Sequence, residues 1–145
     1  MNEKYELYKH IYKDAEMAVF TLEKLVSDLK EKDNKIKPLI DELLGNYKDW
    51  KEKIKKILKS NNETLPENGS IEKMMAKLGI AKEVKDDNSD ASIANMLIQG
   101  VSMGSIDTEK KINNYKNKVD KDQIKICKYF LKFQQETIEK LKKYL

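Results

Sequence analysis

Ile11, Ala15, Ala18, Leu22, Leu25 and Leu29 recur at alternating steps of four and three residues, and that interval narrows the possible folds sharply. Side chains so spaced share one stripe of a helix, and an apolar stripe on a long helix has to be buried against other helices. Ile36, Ile40, Leu43, Tyr47, Trp50, Ile54 and Ile57 repeat the pattern, and Ile124, Cys127, Leu131, Gln134, Ile138, Leu141 and Leu145 close the chain with it. Between them lies a segment of another kind, from Asp90 to Asp107, reading DASIANMLIQGVSMGSID. It is the one long apolar stretch in a chain of which 37% of residues are charged. With only 5 Gly and 2 Pro, turns are few and elements long, which is a helical composition.

The breaks between stripes predict four long helices, roughly residues 3–32, 35–60, 90–118 and 120–145, and a short one at about 70–79. Asn34 is expected to cap the second helix, with Pro38 in its first turn, where a missing N–H costs nothing. Ser70 would cap the short helix, and Gly79 suits its left-handed end. Asp120, three residues before Gln123, resembles a capping box. The links between the first and second and between the third and fourth long helices are only a few residues, so each pair must form a hairpin. About thirty residues separate the two pairs, enough to cross the length of a bundle. The expected fold is therefore all-α: a single domain spanning 1–145, an up-down-down-up four-helix bundle whose long crossover contains a short helix.

A chain of 145 residues supports one core, and therefore one site at most. The net charge of +4 hides an even mixture: 29 basic residues, every one a lysine, interleave with 25 acidic ones. Without the guanidinium fork or a one-sided basic face, nucleic acid is not an expected partner. No apolar run reaches the roughly 18 residues needed to span a bilayer, so membrane insertion is not expected. The opening Met1-Asn-Glu-Lys-Tyr-Glu has no signal-peptide core. Cys127 is the only cysteine, which rules out an intrachain disulfide and fits a reduced, cytoplasmic setting.

The hairpin, long crossover, hairpin order resembles the ferritin-like superfamily. That resemblance implies an inward glutamate on each of two helices and a Glu-x-x-His pair on each of the other two, around two metal ions. Here the corresponding pairs are Tyr47-Lys-Asp-Trp50 and Gln134-Gln-Glu-Thr137, and His10 is the sole histidine. Two aromatics and a neutral amide stand where metal ligands would be, so the expected protein is a bundle with its metal centre filled in. It is expected to be a non-enzymatic interaction or small-ligand-binding module without a cofactor. The alternative is a divergent carboxylate protein binding iron or manganese through Glu16, Asp107 and Glu136.

Asp107 continues the inward spacing Ile93, Leu97, Gly100, Gly104. Either its helix rotates and releases it to solvent, or it joins Gln134, Tyr47 and Glu16 in a polar core site, or it belongs to a purely structural hydrogen-bond network. Gly100 and Gly104, one turn apart, would admit a close helix or form a dimer seam. Met74 and Met75 on the crossover helix offer an adaptable contact surface, since methionine repacks readily. The expected partner is accordingly another protein or a second copy. Catalysis is not expected: no phosphate loop, Cys-x-x-Cys, His-Glu-x-x-His or Ser/His/Asp set can be assembled.

Overall fold

The computed structural model describes residues 3–145, apart from the Ile71 side chain; Met1 and Asn2, the start of the segment read for a signal peptide, lie outside it. Among the described residues every regular element is a helix: α1 (Glu6–Asp28), α2 (Lys37–Ser60), α3 (Ser70–Asp86), α4 (Asp90–Tyr115) and α5 (Lys121–Lys142). The four long helices match the expected ones within a few residues at each end, where frayed turns replace helix.

α1 is the central element and packs against all four others. Its buried stripe runs Leu7, Ile11, Ala15, Leu22, Leu25, with Leu29 just beyond. Leu39, Ile40, Leu43, Tyr47, Ile54 and Leu58 of α2 and Cys127, Phe130 and Leu141 of α5 complete the core. Each such fully buried large side chain contributes about 1.5–3 kcal/mol. Hydrogen bonds fix which ends meet. The Tyr5 hydroxyl, at the start of α1, donates to Asn61, at the end of α2, at 3.2 Å. Leu7 bonds Gln123 near the start of α5, and His10 bonds Thr108 late in α4. Lys140, late in α5, reaches Glu42, early in α2, at 3.4 Å.

Two helix starts are capped by distant residues rather than by local ones. α1 has no side-chain cap of its own. Its Leu7 and Tyr8 N–H groups donate to Gln123 Oε1 at 2.9 and 3.1 Å, and Gln123 Nε2 donates to the Lys4 carbonyl at 2.8 Å. Gln123 is wholly buried, so each of its bonds replaces water that cannot reach it. At α2 the expected Asn34 cap is replaced by Asp90, whose carboxylate accepts from the Lys35 and Ile36 N–H groups at 3.2 and 3.4 Å. Asn34 instead donates to Asp90 Oδ1 at 3.0 Å and to the Asn88 carbonyl at 2.7 Å. Asp120 does accept from the Gln123 N–H, at 2.8 Å, but the Gln123 side chain turns to α1 rather than back, so only half of a capping box forms.

The crossover departs from expectation. Its helix runs on to Asp86, and no glycine among the described residues has positive φ, so Gly79 continues α3 instead of ending it. Ile80 is buried and Val84 packs against the core on the same face, and this burial outweighs the roughly 1 kcal/mol cost of a helical glycine. The polar run before α3 is held to α1: Asn68 Nδ2 donates to the Lys13 carbonyl at 2.9 Å and to Glu16 Oε1 at 3.1 Å.

Candidate functional site

Midway along the molecule four helices meet around polar side chains. The stripe of α1 that carries Leu7, Ile11 and Ala18 also carries Asp14, at steps of four, three and four, so an acid stands on an inward position. Gln134 of α5 is wholly buried and donates from Nε2 to Asp14 Oδ2 at 3.4 Å; its Oε1 has no hydrogen-bond partner. α4 approaches through Gly104, where an added Cβ would lie 2.7 Å from Asp14 Oδ2 and 3.0 Å from Gln134 Nε2. Only a residue without a side chain leaves space for both groups there. Tyr47 of α2 completes the ring of elements; burial, and then the neighbouring Asp14 charge, push its phenol above the ordinary value.

Burial first, and the Asp107 charge second, raise the Asp14 carboxyl to about 7. One turn earlier, His10 Nε2 lies 2.8 Å from the Thr108 hydroxyl, which in turn donates to the Gly104 carbonyl at 2.9 Å. A hydroxyl has one proton, so where it is given to the carbonyl the imidazole donates from Nε2. Burial, with Lys111 adding to it and Asp107 opposing, lowers His10 to about 4, and the ring is neutral at physiological pH.

Gln134 and Tyr47 each lie beside Asp14, while Glu16 and Asp107 stand elsewhere. Asp107 is exposed: the buried residues of α4 are Ile93, Ala94, Thr108 and Ile112, and after Gly104 the inward position falls on Thr108 instead. Glu16 faces the crossover: burial opposes its charge, but bonds from Asn68 and Lys73, the latter at 3.3 Å, outweigh this and lower its pKa. Glu136 is exposed beside Lys132 at 3.9 Å. Among the described residues no three His, Cys, Asp or Glu side chains stand close enough to hold a metal ion.

Gly104 is the point of close approach, whereas Gly100 faces solvent with open space beyond it. Met74 and Met75 are 63% and 66% exposed, with Leu78 beside them at 59%, on the face of α3 turned away from Ile80. Burial pushes the Cys127 thiol up to about 12, where it has no nucleophilic character at neutral pH. Between α2 and α5 the rings of Tyr47, Trp50, Phe130 and Phe133 pack edge to face at 4.9–6.4 Å. A shallow open groove of about 350 Å³ lies over Trp50 and Phe133.

Sequence reasoning missed Asp14 and Thr108, and did not place which residues of α4 face outward. The signal for Asp14 was present, since Ile11, Asp14 and Ala18 keep the alternating spacing as well as Ala15 does. From Ala91 to Ile106 no residue is charged, yet Asn95, Gln99, Gly100, Met103 and Ile106 are all exposed, Met103 at 68% and Ile106 at 53%. No described helix is long and apolar enough to cross a membrane. Comparison with protein-family models, with curated proteins and with solved structures finds no match.

Proposed function

We propose that this chain is a non-catalytic interaction module, a four-helix bundle of up-down-down-up order with ferritin-like connectivity, which associates with a second copy of itself through the outer face of α4. The end-to-end contacts of α1, α2, α4 and α5 support the helix order, and the single reduced cysteine suits a cytoplasmic setting. The observation that carries the function is the uncharged exposed stripe of α4, with Met103 and Ile106 standing out from it. Covering Met103 and Ile106 is favourable, and the uncharged side chains around them add no charge that pairing would have to desolvate.

A second copy laid antiparallel, with its two-fold axis level with Val101, sets Met103 and Ile106 of each chain against Met96 and Gln99 of the other. It also brings Lys110 over Ser92, whose hydroxyl donates to Glu83 at 2.6 Å, so opposite charges meet at the rim. Such a contact is self-complementary, as two-fold pairing requires. Glu16, Asp107 and Glu136 would have to converge for the iron- or manganese-binding alternative, whereas each has its own surroundings, so no cofactor enters this reading.

Sedimentation equilibrium tests it. The 17.0 kDa chain is expected to sediment at twice its mass, and Met103→Lys with Ile106→Lys is expected to return it to the monomer with its helicity intact. A monomer at every concentration reached would overturn self-association. A dimer indifferent to the two lysines would move it off α4.

A further inference from the structure

Asp14 makes no ion pair among the described residues. On its own helix His10, one turn earlier, is engaged with Thr108. α2 presents the Tyr47 phenol, α4 presents Asp107 with Lys111 close to His10, and α5 presents only the neutral Gln134. α3 packs on the far side of α1, where Lys73 is taken up by Glu16. No cation, then, answers an ionised Asp14. Its one hydrogen bond, from Gln134 at 3.4 Å, is long for a charge-assisted pair, which closes to about 2.7–2.9 Å. The amide meanwhile carries an oxygen that accepts nothing. An unpaired carboxylate mostly withdrawn from water and an orphan amide oxygen are each costly, and one additional proton answers both.

We propose that Asp14 is a proton-binding site, with the neutral acid and the Gln134 amide closing a ring of two hydrogen bonds. In that ring the Asp14 hydroxyl donates to Gln134 Oε1, while Gln134 Nε2 donates to the other Asp14 oxygen. The proton comes from solvent and no other bond changes. Gly104 is what allows the pair to lie face to face, because any side chain there would enter the ring. The raised carboxyl, titrating at about 7 in place of 3.8, agrees with this assignment, and the site therefore fills and empties near neutral pH. Its loss leaves a charge between α1, α4 and α5, so the contact among these helices becomes pH-dependent.

The test is an NMR titration of the full chain, following the Asp14 side-chain carboxyl carbon and the Gln134 side-chain amide together. Both are expected to move with one shared midpoint near pH 7, and Asp14→Asn, which keeps the shape of the neutral acid, is expected to abolish that transition at Gln134. An Asp14 midpoint near the ordinary 3.8 would overturn the proposal. A Gln134 amide that does not follow Asp14 would overturn the ring. The wild-type titration decides the matter even if the variant fails to fold.

Discussion

At Gly104 the difference between hydrogen and methyl decides the local structure. An alanine there gains up to about 1 kcal/mol of helix propensity but sets a Cβ 2.7 Å from Asp14 Oδ2, displacing the carboxyl from Gln134. Asp14 Oδ2 and Gln134 Nε2 are both side-chain ends, so the carboxyl swings aside at the cost of its bond to Gln134, and Gly104→Ala is expected to range from neutral to about 1 kcal/mol destabilising. Gly100→Ala meets nothing within 4 Å and should stabilise by about 0.5–1 kcal/mol. Urea unfolding of the two variants checks the order; equal effects would mean that the glycines are not distinct. Both glycines and Gln134 were legible in the sequence as special positions, but the sequence could not say which of two adjacent stripes on α4 faces inward. A helix apolar on most sides carries no marker of its own rotation, and Asp107 and Thr108 are neighbours on it. That one-residue ambiguity left open whether Asp107 faces the core or solvent, and left Thr108 unnoticed.

At the scale of elements, the helices are tied start to start by borrowed caps. Gln123→Ala removes the acceptor of the buried Leu7 and Tyr8 N–H groups, at an expected cost of about 2–3 kcal/mol. Asp90→Ala removes the cap of α2 and should cost about 1–2 kcal/mol. Both variants should lower the urea midpoint with an unchanged slope; an unaltered midpoint for Gln123→Ala would show that water reaches that helix start. Met74→Ser with Met75→Ser, by contrast, is expected to fall within about 0.5 kcal/mol of the parent, because both side chains stand in solvent. α1, α2 and α5 were readable because one periodicity runs unbroken along each, and α4 because its apolar run lies between polar breaks. The length of α3 was not, because its apolar residues lie on two opposite faces and Gly79 interrupts both. What carries α3 past the glycine is the burial of Ile80, a tertiary contact that no local rule contains.

For the whole molecule the consequence of this polar centre is a stability that hides its own pH dependence. His10 is held at about 4, below 6.5, so the native state binds fewer protons there; this stability is present above pH 6.5 and lost as pH falls toward 4. Asp14 is held at about 7, above 3.8, so the native state binds more protons there; this stability is complete below pH 3.8 and lost as pH rises through 7. Both shifts correspond to contributions on the order of 3 kcal/mol, less where solvent screens them, with opposite slopes across nearly the same interval. At pH 5.5 folding moves a proton from the imidazole to the carboxyl with almost no net uptake. Removing one partner should therefore expose the other. Relative to the parent, His10→Gln is expected to lose thermal stability steadily from pH 4 to 7, while Asp14→Asn gains it from pH 4 to 6.5. Melting temperatures of the three proteins across that range measure both slopes. Parallel curves would mean that at least one of the two groups keeps its ordinary pKa in the folded chain, and the opposed signs leave no other way for a single-site change to tilt the profile in each direction.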